Sequence, residues 1–203
     1  PERGIYYELF VIIDIYSRYI VGWIVAAAET GELAQAFIAD AIDTQEVGHS
    51  QLTLHADRGS SMTSKPVSQL LVDLGVTRSH SRPSVSNDNP YSEALFRTLK
   101  YRPQLPVKPF SDLLQARRWV TELVHWYNHE HRHSAISFVT PTQRHAQLDT
   151  ALLNERANVY EIARQANPKR WSGQTRNWKR KESVHLNPDR PEQQKQPVTQ
   201  QAA

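Results

Sequence analysis

Two runs of β-branched and aromatic residues lead the chain. Tyr6 to Asp14 and Tyr19 to Ala26 read as strands, with Ile15, Tyr16, Ser17 and Arg18 turning between them. Glu29-Thr30-Gly31-Glu32 then opens a helix whose apolar positions Leu33, Ala36, Phe37 and Ala41 recur at helical spacing. Gln51 to Ala56 is strand-like and ends at Asp57. Thr63 to Leu74 predicts a helix with Pro66 tolerated in its first turn; Gly75 stops it, and Val76 to Arg78 is a brief strand. Ser79 to Asn89 is rich in Ser, Pro, Asn and Asp, residues that bond to local backbone or cannot extend a ladder, so it reads as a loop.

Asn89 is a good helix cap and Pro90 suits a first helical position, which predicts a helix from Pro90 to about Tyr101. A proline-rich bridge, Pro103 to Pro109, leads to a longer helix from about Ser111 to Asn128. There Leu113, Ala116, Val120, Leu123 and Tyr127 form one apolar stripe. A single helix is expected from Pro141 to Ala166. After Pro168 the composition turns to Lys, Arg, Gln and Pro, which reads as a mostly disordered tail without a core of its own. Strands alternating with helices imply an α/β architecture, a mixed sheet flanked by helices. The expected organisation is a core over residues 1–145, a C-terminal helix over 146–167 and a basic Pro/Gln-rich tail over 168–203.

Composition narrows this only slightly. There is no cysteine, so neither a disulfide nor a thiolate zinc site can hold the fold, and a reducing cytoplasm is the expected location. No stretch approaches the roughly 18 to 20 apolar residues of a membrane span. The net charge of +3 leans toward a polyanionic partner without defining one. The chain begins with Pro1 rather than Met and reads as a fragment.

The chemistry concentrates on two carboxylates. Asp57 stands where a strand leaves the sheet, the edge at which α/β sheets hold ligands. Glu93 falls in the first turn of the Pro90 helix. If that turn packs beside the end of the Asp57 strand, the two carboxylates converge. Hard oxygen ligands of this kind suit Mg²⁺ or Mn²⁺. Two such ions, roughly 3.5–4 Å apart, would serve an in-line phosphoryl displacement. Taken singly, Asp57 is as well explained as a turn aspartate, and Glu93 as a first-turn glutamate favoured by the helix dipole.

The surrounding motifs remove that ambiguity. His55-Ala56-Asp57-Arg58-Gly59-Ser60 and Ser86-Asn87-Asp88-Asn89-Pro90-Tyr91-Ser92-Glu93, followed by Leu99-Lys100, resemble the catalytic core of retroviral integrases and insertion-sequence transposases. Thirty-five residues separate Asp57 from Glu93, and Lys100 lies seven beyond Glu93, both as in that family. The resemblance continues at Val11 to Arg18, Val21-Gly22-Trp23, Trp126-Tyr127-Asn128, Arg132-His133-Ser134 and Thr140-Pro141, covering about residues 6 to 145. It implies a ribonuclease-H-like fold, catalytic and metal-binding roles for Asp57 and Glu93, and two Mg²⁺ or Mn²⁺ ions. It further implies metal-dependent cleavage and strand transfer on DNA (element ends and target) without a covalent enzyme intermediate. A bacterial synaptic homo-oligomer is the expected working form, with neither a membrane nor a small-molecule substrate involved.

One departure stands out. The family's first catalytic aspartate lies on a first strand upstream of the Asp14 position, a location that falls before Pro1. The chain is therefore expected to lack that strand and one of three metal ligands, and to be inactive without them. Asp14 matches instead the aspartate that closes the hairpin turn ahead of Ser17 and Arg18.

Arg97 and Lys100 share the helical face of Glu93. The resemblance makes Lys100 a DNA contact; Arg97 is either a second contact or the partner of Glu93 in an i,i+4 pair. The resemblance makes Asn89 and Tyr91 further candidate DNA contacts, although Asn89 serves equally as the helix cap. His125, His129, His131 and His133 would have to converge to hold zinc, and a helix ending near Asn128 points them apart. The tail's Lys169, Arg170, Arg176, Lys179, Arg180 and Lys181, interleaved with Trp171 and Trp178, either grip DNA or form a solvated terminus. The rival to a transposase is a noncatalytic DNA-binding or oligomerising remnant of one; a nuclease without joining activity is a third reading.

Overall fold

The computed structural model describes residues 6–82, 88–102, 106 and 108–186. Residues 83–87 of the expected loop, most of the Pro103–Pro109 bridge and the tail beyond 186 lie outside the described residues.

Strands β1 (Glu8–Ile13) and β2 (Ile20–Ala26) form an antiparallel hairpin in the register Glu8↔Ala26 to Ile12↔Gly22, with an irregularity between Ile12 and Ile13. Asp14 closes its turn, as expected. The carboxylate accepts from the amides of Tyr16 (3.0 Å) and Ser17 (3.2 Å) and from the Ser17 hydroxyl (2.5 Å). Burial disfavours its charge, but these bonds outweigh that and hold its pKa below the usual carboxylate range.

The pleat of β1 explains the layering. Leu9, Val11 and Ile13 face a cluster built on Ile20, Leu95, Leu99, Leu123 and Tyr127. The alternate residues face the other way: Phe10 meets Phe37 edge-on at 6.4 Å, and Ile12 joins the cluster of Ala34, Ile38, Val67, Leu71 and Val76. Helices α1 (Gly31–Thr44) and α2 (Lys65–Asp73) thus cover one face of the hairpin. Helices α3 (Pro90–Lys100) and α4 (Leu113–His129) cover the other. A Cβ on Gly22 would stand 3.2 Å from the Phe37 ring, so glycine permits this close helix–strand approach.

Strands β3 (Thr53–Ala56) and β4 (Thr77–His80) pair in parallel, as the α2 crossover between them requires. Antiparallel and parallel pairing are both present, but in two two-stranded ladders rather than one sheet among the described residues. Gly75, at φ 65°, ends the α2 segment in a conformation suited to glycine. β4 continues to His80 because Ser79 and His80 pair with His55 and Ala56; the loop begins later than its composition suggests.

The expected stripe of α4 is buried at Ala116, Val120, Leu123 and Tyr127. Asn128, also buried, donates to the Ile20 carbonyl (3.1 Å) and accepts from its amide (2.9 Å), giving β2 a side-chain substitute for a ladder partner.

Two expectations need correction. The helix after Pro141 is broken into α5 (Pro141–His145) and α6 (Asp149–Ala166), with Gln147 at φ 60° between them. The break places Asp149, fully buried, against the buried Arg144 guanidinium. Nor is the basic segment after Pro168 without a core. Trp178 is 6% exposed, packed with Ile136, Val139 and Leu153. Its ring stands 5.1 Å from Tyr160. Residues 171–186 form a strap across α6 and the hairpin turn, because an interleaved tryptophan supplies what lysine and arginine cannot. Among the described residues no helix is long and apolar enough to cross a membrane.

Candidate active site

Asp57 follows the last residue of β3, and its side chain is fixed from two directions. The Ser81 hydroxyl, one residue beyond β4, donates to Oδ1 at 2.7 Å. The Asn89 amide approaches the same oxygen at 3.4 Å. Asn89 is also the N-cap of α3, accepting from the Ser92 amide. The structure therefore ties the end of β3 to the start of α3, whose first turn carries Glu93. Asp57 and Glu93 are both exposed, and Oδ2 of Asp57 and the Glu93 carboxylate have no hydrogen-bond or ion-pair partner among the described residues.

Behind Asp57 lies a short polar relay. Ser81 spends its proton on the carboxylate, so at 3.3 Å it can only accept from His55 Nε2. His55 Nδ1 then accepts from the Ser79 hydroxyl at 3.0 Å. Burial lowers the His55 pKa, against the opposing pull of the Asp57 charge, which fits a neutral ring in this tautomer. Sequence reading missed His55, Ser79 and Ser81. The β4 register that sets Ser79 beside His55, and Ser81 just beyond, was the signal.

The loop that follows is clasped at its base. Arg82 donates from Nε (2.9 Å) and Nη2 (2.8 Å) to Asp88, whose Oδ2 also accepts the Arg82 amide at 2.7 Å. These bonds hold the Asp88 carboxyl down to about 2.

The other expected residues separate into two groups. Arg97 and Lys100 lie on the exposed face of α3 with Glu93, opposite buried Leu95 and Leu99. No Glu93–Arg97 ion pair forms among the described residues, so all three charges are available. Asn89 and Tyr91 already have partners. Asn89 is cap and Asp57 neighbour; the Tyr91 ring lies 4.0 Å beneath the Arg18 guanidinium, and its hydroxyl donates to the His185 carbonyl at 3.2 Å.

The histidines of α4 and the following turn make ring contacts with one another and with Tyr127. His125 and His129 stand 4.7 Å apart between ring centroids, and His131 packs 5.5 Å from Tyr127. Among the described residues no three His, Asp or Glu side chains are grouped to hold a metal ion.

The three-layer α/β unit, with one exposed carboxylate just past β3 and another in the first turn of α3, has a ribonuclease-H-like fold. The chain belongs to the integrase core domain family, whose profiles match residues 1–86 and 74–141. It is 30% identical over 151 residues to a protein named as transposase for insertion sequence element IS986/IS6110 of Mycobacterium tuberculosis, covering 70% of this chain and 52% of that protein. It is 29% identical over 136 residues to the transposase for insertion sequence element IS904 of Lactococcus lactis, covering 66% and 52%. The chain thus spans about half the length of the curated relatives it matches. Among solved structures, the catalytic core domain of BIV integrase superposes with a TM-score of 0.50 at 19% identity, covering 70% of this chain and 88% of that one. A chain of the simian T-cell lymphotropic virus intasome gives 0.52 at 17% identity, covering 70% and 49%. These two likenesses establish the fold.

Proposed function

We propose that this chain is the catalytic part of an insertion-sequence transposase, a polynucleotidyl transferase that cleaves DNA at element ends and joins the 3′-hydroxyls to target DNA. The observation that carries the reading is the Asn89 bridge, which holds the first turn of α3 against Asp57. Asp57 and Glu93 fit a hard divalent cation: both carry oxygen donors, both are exposed, and neither Oδ2 of Asp57 nor the Glu93 carboxylate is spent on a protein partner. Mg²⁺ or Mn²⁺ held there would activate the attacking oxygen and stabilise the leaving one.

The protein's own contribution is orientation. Ser81 and Asn89 fix Oδ1 of Asp57, leaving Oδ2 for the ion. Arg97 and Lys100 extend positive charge along the α3 face from Glu93, where a phosphate backbone would be held by charge rather than base readout. The named transposase relatives support DNA as substrate, and a synaptic homo-oligomer is the working form proposed with it.

The test is joining of a labelled element-end duplex to plasmid in Mg²⁺, using a preparation that includes the family's first-strand aspartate. Asp57→Asn and Glu93→Gln each abolish joining and leave the thermal midpoint unchanged. Joining retained in either variant overturns the proposal.

A further inference from the structure

The cations of the C-terminal strap are not equivalent. Arg176 lies over the rings of Phe138 and Trp178, at 5.0 and 5.6 Å. Arg180 donates to the Tyr16 hydroxyl at 2.6 Å and stands 3.6 Å from Asp149. Both hold the strap in place. Lys181 is exposed and has no hydrogen-bond or ion-pair partner among the described residues.

Lys181 lines a cleft of about 250 Å³ between the strap, the hairpin turn and the start of α3; Arg18, Tyr91, Arg144, Ser183 and His185 are among its walls. That is smaller than the roughly 300 Å³ at which small-molecule pockets begin, and suits a compact ligand. Its charge is positive. Arg18, Arg144 and Lys181 all line it, and Asp149 offsets only the Arg144 beside it.

Arg18 is the built element. It is 9% exposed, sits at φ 67° in the hairpin turn, and lies over the Tyr91 ring at 4.0 Å. Among the described residues its guanidinium makes one hydrogen bond, from Nη1 to the Ile15 carbonyl. A guanidinium has five N–H donors, so most remain for a ligand. The Tyr91 hydroxyl is committed to His185, which makes the ring a wall. A planar donor fork, a mobile ammonium and the Ser183 hydroxyl around a small space match the oxygens of a phosphodiester.

We propose that this cleft binds a backbone phosphate of the DNA, a site distinct from the Glu93 face of α3. It rests on the reading that the chain acts on DNA. Residues two apart on a helix project to nearly opposite sides, so Tyr91 and Glu93 flank the first turn of α3. DNA that reaches both the carboxylates and the cleft straddles that turn, and the strap supplies the second grip.

The full chain is titrated into a fluorescein-labelled DNA duplex, by anisotropy, over a range of NaCl concentrations. Lys181→Ala lowers affinity roughly 5-fold at low salt, the loss of one charge-assisted contact, and reduces the log–log salt slope by about 1. Ser183→Asp, which puts an anion in the cleft, lowers affinity further. Lys179→Ala makes the same charge change on the same strap outside the cleft, and leaves the slope near that of the parent. Equal effects of Lys181→Ala and Lys179→Ala, or none from Ser183→Asp, overturn the cleft while leaving the transposase reading intact. No DNA binding by the parent chain overturns both. Calorimetric binding of inorganic phosphate that is lost in Lys181→Ala, with duplex affinity and salt slope unchanged in that variant, would mark a free-phosphate site and overturn the DNA assignment.

Discussion

The Ser81 hydroxyl donates to Oδ1 of Asp57 at 2.7 Å, and so links the chain just beyond β4 to the chain just beyond β3. Partners that orient a metal ligand typically set 10- to 100-fold of its affinity. On the proposed role of Asp57 as an ion ligand, Ser81→Ala is expected to raise the Mg²⁺ concentration for half-maximal joining by about 10-fold. A Mg²⁺ titration of the joining rate reads this directly. An unchanged half-maximal concentration would show that Ser81 serves the fold alone.

His133 makes the protein acid-sensitive. Burial, with the nearby His131 and Arg18 charges, pushes its pKa down to about 4. An unfolded histidine titrates near 6.5. Stability is fully present above that value and falls as pH drops toward 4, because the unfolded chain takes up a proton that the folded chain resists. The ring is only partly covered, so the loss is on the order of 2 kcal/mol. His133→Asn keeps an acceptor for the Ala135 amide, which now bonds His133 Nδ1 at 3.2 Å. Urea midpoints measured from pH 7 to pH 4 are expected to fall less steeply in this variant.

The elements were largely legible because each is written locally. The cap at Asn89, the α4 stripe and the stop at Gly75 need no knowledge of the rest of the chain. Asp57 and Glu93 are singled out by spacing and motif. What was not legible depended on contacts distant in sequence. Ser81 meets Asp57 only through the β3–β4 register, and Asn128 meets Ile20 across 108 positions. Composition also misjudged the strap. Its polar average hides Trp178 and Arg180, whose partners lie on α6 and in the hairpin turn.

The Arg82–Asp88 clasp carries a second pH dependence, of the opposite charge type. The hydrogen bonds and charge of Arg82 hold Asp88 down to about 2, so the clasp contributes at neutral pH and is lost as pH falls through that value. Asp88→Asn is expected to lower the thermal midpoint at pH 7 and to differ less from the parent as pH approaches 2. Parallel melting curves at both ends of that range measure the difference.

Asp149 is the anchor on which the strap depends, and its replacement should be costly in a particular way. It lies fully buried between Arg144, itself 2% exposed, and Arg180 at 3.6 Å. Asp149→Asn leaves the Arg144 charge buried without a counter-ion, an imbalance worth roughly 3–5 kcal/mol. Arg180→Met should cost less, since the Asp149–Arg144 pair survives and the lost contact is partly exposed. The two effects also differ in kind. Replacing Asp149 and Arg144 together by Leu and Met removes both charges and should recover much of the loss, because a well-packed apolar pair avoids the desolvation that the ion pair must offset. Denaturant unfolding of the three variants decides this. If the double variant is as unstable as Asp149→Asn, Arg144 is needed for its packing and its contact with the Tyr16 ring, 5.4 Å away, rather than for its charge.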